Sequence, residues 1–162
     1  MGVLYTVLPL DDEIATYLRD EGAHVPPHSK STRNPTLLEV RAACDRLSGF
    51  RTEYFVSQDG KRWQASIEGA TNPQEEPWTL LNVSDYTGRE DEPQRIWFEK
   101  GWESLILRVL HGLASSCGPL VLLPDTGEQP IAVTADVPFE ELEARWNSTR
   151  EVWEEPGDPA AG

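Results

Sequence analysis

Several residue groups in this 162-residue chain have types and spacings that could do chemistry. His24 and His28 flank Val25-Pro26-Pro27, an interval some metal sites use. Two prolines forbid the helix that would align both imidazoles, and no third ligand lies near in sequence, so a solvent loop is expected there. His111 falls on the polar stripe of an otherwise apolar segment, where hydrogen bonding at the surface is the expected role. Ser115-Ser116-Cys117 has neither a Gly-x-Ser-x-Gly frame nor an activating neighbour in sequence. The glycines are scattered as turn punctuation and never cluster into a phosphate-cradling loop. On these grounds the sequence offers no catalytic residue, no metal site and no cofactor site.

Asp125-Thr126-Gly127 is the one tripeptide with a catalytic namesake, since it resembles the segment that carries the active aspartate of pepsin-like and retroviral proteases. The resemblance covers only Leu122 to Gly127. Such an enzyme needs two aspartates sharing one proton, because only the coupled pair holds one carboxyl protonated and one ionised. The chain has no second copy. The following Glu128-Gln129-Pro130 replaces the small residue usual in that family, and Pro124, Asp125, Thr126, Gly127 and Pro130 are what a loop between two antiparallel strands requires. Asp125 is therefore expected to be a turn residue.

Carboxylates dominate the rest of the polar inventory. The 28 acidic and 14 basic residues give a formal charge of −14 and a pI near 4.5. Such a field repels phosphate backbones and anionic lipid and steers basic partners inward. Direct nucleic-acid binding is thus not expected, and neither is a membrane span, because no apolar run approaches the ~20 residues a bilayer needs. The N-terminus has no basic start or cleavage site of a secretory signal, so the cytoplasm is the expected location. Glu75-Glu76 and the final acidic segment (Glu140, Glu141, Glu143, Glu151, Glu154, Glu155) read as solvated faces. The loop Asp85, Tyr86, Thr87, Gly88, Arg89, Glu90, Asp91, Glu92 is different: it mixes an aromatic with carboxylates, the combination that supplies an anchor and electrostatic selectivity. Asp85, Tyr86, Glu90, Asp91 and Glu92 are the candidate binding residues.

The elements that must position these groups follow from periodicity. Val3 to Leu8, with Tyr5 and Val7 on one side, reads as a strand. Asp11-Asp12-Glu13 opens a helix with Ile14, Tyr17 and Leu18 on its apolar face. After a proline-rich loop over Gly22 to Asn34, Thr36-Leu37-Leu38-Glu39 is a capping box for a helix burying Leu37, Val40, Cys44 and Leu47 and stopping at Gly49. Arg51 to Val56 and Arg62 to Glu68 flank Asp59-Gly60, a strong hairpin signal. Trp63, Ala65 and Ile67 alternate with polar residues there, so one side of the sheet is expected to be open to solvent or a partner. Trp78 to Asp85 and Arg95 to Phe98 extend the hairpin into a meander. Gly101 to Ser116 is a helix apolar on most of its circumference, with Trp102, Leu105, Ile106, Val109, Leu110 and Leu113, and is expected at the centre of the core. Leu120 to Leu123 and Ile131 to Thr134 form a hairpin. Val137 to Trp153, with Phe139, Leu142, Trp146 and Trp153 at helical spacing, closes the fold.

The expected architecture is a single α+β domain over 1–155 with a frayed tail over 156–162. It comprises a mostly antiparallel sheet, meander plus C-terminal hairpin, packed on a central apolar helix, with amphipathic helices near both ends. Cys44 and Cys117 are too few and too far apart for a disulfide framework and are expected as buried thiols.

Small, acidic, single-domain and without a catalytic constellation, the chain resembles in type the immunity proteins that protect bacteria from their own toxins. The run Phe98 to Val133 (FEKGWESLILRVLHGLASSCGPLVLLPDTGEQPIAV) resembles a helix-then-hairpin core found in uncharacterised bacterial and immunity-like families. Arg outnumbers Lys 11 to 3, which suits a GC-rich bacterial genome. The resemblance implies a non-enzymatic binding protein that occludes a basic toxin, with carboxylates covering the partner's site. Three other readings stand beside it: an acidic mimic of nucleic acid, an accessory protein, and a small enzyme with a cleft near Trp97 and Trp102. The sequence does not fix the oligomeric state.

Overall fold

In the computed structural model the described residues are 3–27, 32–72, 75–99 and 101–154, with 149–154 described as helical backbone. Glu155, His28 and the tail expected over 156–162 lie outside them, as do the side chains of Glu151, Trp153 and Glu154. Four helices and a seven-stranded, wholly antiparallel sheet make the α+β fold. In chain order they are β1 (Leu4–Pro9), α1 (Asp12–Asp20), α2 (Leu37–Asp45), β2 (Phe50–Val56), β3 (Trp63–Gly69), β4 (Trp78–Val83), β5 (Ile96–Glu99), α3 (Glu103–Cys117), β6 (Leu120–Pro124), β7 (Ile131–Val133) and α4 (Phe139–Glu154).

The sheet order is β2-β3-β4-β5-β1-β6-β7. The meander and the C-terminal hairpin are both present, but they do not touch: β1 lies between them, pairing Tyr5 with Phe98 on one side and with Pro124 on the other. The turns carry the residues their geometry needs. Gly60 and Gly127 sit at φ +70° and +84°, a left-handed conformation that costs a side-chain-bearing residue about 1–2 kcal/mol.

One sheet face carries the main core. Tyr5, Val7, Trp63, Ala65, Ile67, Leu81, Ile96, Phe98 and Leu122 pack there against α2, α3 and α4. Helix α3 is the centre, burying Leu105, Ile106, Leu107, Val109, Leu110 and Leu113. Trp102, expected on that apolar circumference, instead precedes the helix as its N-cap residue, with extended backbone, and is 49% exposed. In α2, Thr36 and Glu39 form the expected reciprocal cap. That helix ends at Asp45, so Leu47 lies beyond it, while Ala43 joins the buried stripe.

The other face is treated differently along its length. Helix α1, capped by Asp11 Oδ1 accepting from the Ile14 N–H, covers only the β6–β7 end. Ala15 and Leu18 pack there with Leu10, Val121 and Ala132, and Tyr17, expected inward, is 39% exposed because the covered area is small.

Candidate functional site

The expected recognition loop connects β4 to β5, and the structure shows what holds it. Buried Gln94 organises it from within. Its Oε1 accepts from the Thr87 N–H at 3.0 Å, and its Nε2 donates to the carbonyls of Arg89 at 2.7 Å and Glu92 at 3.3 Å. The backbone of Glu90 accepts from the Leu38 N–H, and Gln94 N–H donates to the Pro35 carbonyl, so the loop is stitched to the start of α2.

The carboxylates proposed for recognition largely face inward or each other's counter-ions. Glu90 accepts from Arg41 Nε at 2.6 Å and Nη2 at 2.9 Å, and from the indole N–H of fully buried Trp63 at 3.1 Å. The Arg41 hydrogen bonds, with the Trp63 donor, hold the Glu90 carboxyl below its ordinary range. Arg41 in turn lies over the Tyr54 ring, 4.3 Å from its centroid. Asp91 and Glu92 both pair with Arg89, at 3.0 and 3.3 Å. Tyr86 is half-buried against the main core. Asp85 is exposed, in a left-handed turn at φ 54° that aspartate tolerates better than most residues. The loop is therefore held by internal hydrogen bonds, and Arg41 and Arg89 offset half of the charge of its four carboxylates.

The free surface lies on the sheet itself. Phe55, Gln64, Asn82, Trp97, Thr6 and Leu123 occupy one cross-strand row running over β2, β3, β4, β5, β1 and β6 on the face opposite the main core. The next row holds Glu53, Ser66, Leu80, Glu99 and Leu4, and Trp78 stands beyond it opposite Glu68. Phe55 is 54% exposed, Leu4 41% and Trp78 39%, while Leu80, Trp97 and Leu123 are half-buried. Gln64 Nε2 donates to Asn82 Oδ1 at 2.7 Å, leaving Asn82 Nδ2 without a partner. Around this apolar strip stand carboxylates: Glu68 is paired with Arg51 at 2.7 Å, whereas Glu53 and Glu99 have no ion pair among the described residues. The expectation of an open polar side is met in part, because Gln64, Asn82, Thr6, Glu53 and Glu99 share this face with aromatic and aliphatic residues.

The other candidate groups fall into separate places. Asp125 is exposed at the β6–β7 tip, its N–H donating to the Leu4 carbonyl, and no side-chain hydrogen bond or ion pair joins it to another residue among those described. His111 Nε2 lies 2.8 Å from the Val137 carbonyl. Cys44 and Cys117 are free and buried, and burial pushes their thiols up to about 12 and about 11. No cluster of three metal-ligating side chains occurs among the described residues. Two adjoining cavities of about 400 and 470 Å³ lie between residues 23–27, β7 and α4.

No family model matches the chain, and no curated protein or solved structure does. No helix among the described residues is long and apolar enough to cross a membrane.

The sequence missed Gln94 and the Arg41–Glu90 pair, and for the latter the residues are 49 apart. Only Gln94's position between Pro93 and a strand start hinted at a capping side chain. For the sheet face, Phe55 facing outward in the hairpin was the available signal.

Proposed function

We propose that this protein is a non-enzymatic binding protein that docks a basic protein partner on the uncovered face of its sheet. The carrying observation is the set of exposed Phe55, Leu4 and Trp78 with half-buried Leu80, Trp97 and Leu123 on the face opposite the main core, beside Glu53 and Glu99, which have no ion pair among the described residues. Exposed apolar rows rimmed by charge are how interfaces present a packed centre and a selective edge. A second copy is a poor occupant, since it would bring two chains of formal charge −14 and two sets of these carboxylates together. A basic surface is attracted over a Debye length of ~8 Å at physiological salt and then desolvates Phe55, Trp78 and Trp97.

In the finer form of this reading the partner is a bacterial toxin whose basic site is covered by the strip, as an immunity protein would do. Buried free thiols suit a reducing compartment, so we place the protein in the cytoplasm.

The test is capture from the native host at low and raised salt with the unaltered chain and with a Phe55→Ser, Trp78→Ser variant. The expected result is one dominant basic protein that is retained less as salt rises and is lost by the variant. Recovery of nothing specific, or equal recovery on the variant, overturns the proposal.

A further inference from the structure

The sheet ends on two unequal edges. Strand β7 has three residues, whereas β2 at the other end has seven, Phe50 to Val56 (FRTEYFV), and every one of them is half-buried or exposed.

Two hydrogen bonds fix the phase of β2. Ser57 N–H donates to the Arg62 carbonyl and Ala70 N–H to the Gly49 carbonyl, each at 3.0 Å, so residues 57 and 62, and 49 and 70, are hydrogen-bonded pairs. In an antiparallel ladder such pairs recur at every second residue, so Arg51, Glu53 and Phe55 turn their peptide groups toward β3. The N–H and C=O groups of Phe50, Thr52, Tyr54 and Val56 point off the edge, and none has a backbone partner among the described residues. A long edge with a row of such groups is a template for another strand.

The side chains of β2 select that strand. Residues directly opposite each other in an antiparallel pair share their hydrogen-bonding phase, so a second β2 can meet the first about a two-fold axis through one residue. An axis through Arg51 sets arginine against arginine, one through Glu53 sets glutamate against glutamate, and one through Tyr54 sets Glu53 against Phe55. An axis through Thr52 sets Arg51 of each copy against Glu53 of the other, and Phe50 of each against Tyr54 of the other. Opposite charges and aromatic pairs are the cross-strand neighbours that stabilise a sheet. The Arg51–Glu53 pairs also fall at non-hydrogen-bonded positions, where facing side chains are closest. Both residues are exposed, and Arg51, which donates through Nη2 to Glu68 at 2.7 Å, has further guanidinium donors for a second carboxylate.

Charge opposes a second copy on the sheet face but not at this edge. Residues 45–70 hold four basic side chains (Arg46, Arg51, Lys61, Arg62) and four acidic ones (Asp45, Glu53, Asp59, Glu68), so none of the net −14 arises there. Exposed charges farther apart than the ~8 Å Debye length of physiological salt are largely screened.

We infer that β2 is a self-association edge: two copies of the chain pair β2 with β2, antiparallel about Thr52, and join two seven-stranded sheets into one. The two-fold axis stands perpendicular to the sheet, so the faces opposite the main core lie side by side. This edge is separate from the docking of a basic protein on that face, and neither depends on the other.

Sedimentation equilibrium of the full chain is the test, and a reversible monomer–dimer equilibrium is expected. Glu53→Lys sets a lysine against Arg51 of the other copy, and Arg51→Glu sets a glutamate against Glu53. Each variant should weaken the dimer at least about tenfold. Both positions are exposed, so both variants should keep the fold, which circular dichroism checks. An equimolar mixture of the two variants should recover the dimer, because every substituted side chain then faces one of opposite sign. A chain that stays monomeric at the highest concentration reached, a dimer unmoved by both variants, or a mixture no tighter than either variant alone overturns the proposal. Capture of a basic protein on the sheet face is read separately, with the Phe55→Ser, Trp78→Ser variant.

Discussion

Replacing Glu90 by alanine should destabilise the protein by about 2–4 kcal/mol. The magnitude comes from two losses. The indole N–H of Trp63, a residue 1% exposed, would be left buried without an acceptor, which costs about 1–3 kcal/mol. The Arg41 pair adds about 1 kcal/mol, at the upper end for exposed pairs, because Arg41 is 32% exposed and rehydrates when released. Against a total of roughly 5–15 kcal/mol this is a large fraction, equivalent to a fall in Tm of roughly 4–16 °C for a chain of this size. Glu90→Gln keeps an acceptor for Trp63 and should cost about 1 kcal/mol. Urea unfolding followed by circular dichroism and tryptophan fluorescence measures both, with an unchanged m-value expected since the native surface is the same. An Arg41→Ala, Glu90→Ala cycle should give a coupling of about 0.5–2 kcal/mol. The reasoning is refuted if Glu90→Ala costs less than about 0.5 kcal/mol, or if glutamine is as damaging as alanine.

Three further outcomes follow from the geometry. Arg33 holds the Glu39 carboxyl down to about 2 from an ordinary 4.5, and Arg41 holds Glu90 below that range as well, so both stabilise the fold above pH 4.5 and lose that effect as pH falls toward 2; a Glu39→Gln, Glu90→Gln chain should show a shallower fall in urea midpoint across that window, and parallel curves would contradict this. Gly101 sits at φ +100° with its Cα against the Trp78 carbonyl and Thr79, so Gly101→Ala should cost about 2–5 kcal/mol in the same unfolding assay. Cys44 and Cys117, with thiols raised to about 12 and about 11 by burial, should resist an aromatic disulfide reagent at pH 8 until urea unfolds the chain, and rapid native labelling of either would show that it is not sealed.

The local elements were legible because their signals are local. The Thr36/Glu39 box, the Asp59-Gly60 turn, the all-round apolar character of α3 and the Pro124-Asp125-Thr126-Gly127 tip each need only a few neighbouring residues, and each appears in the structure. The insertion of β1 between β5 and β6 was not legible, because Val3 to Leu8 carries no mark of which strands it will pair; that choice is made by burying Tyr5 and Val7 under α3 from both sides at once. Helix α1 on the opposite face was hidden for the same reason, since an apolar stripe of Ala15 and Leu18 does not say which side of a sheet it covers.

The candidate loop shows how a count of carboxylates misleads about surface. Asp85, Glu90, Asp91 and Glu92 read as a concentrated negative patch, but Arg41 pairs with Glu90 from a helix far back in the chain and Arg89 is shared by Asp91 and Glu92, so two positive charges offset half of the four. Such pairing is favoured wherever a loop must be held on a core, because an arginine fork satisfies a carboxylate and covers an aromatic ring with one side chain. Glu53 and Glu99, which have no ion pair among the described residues, stand on strands, where alternation directs them to the face opposite the main core. On the proposed reading, a net charge of −14 favours a basic partner by attraction, and the sheet register sets out the exposed face such a partner would meet.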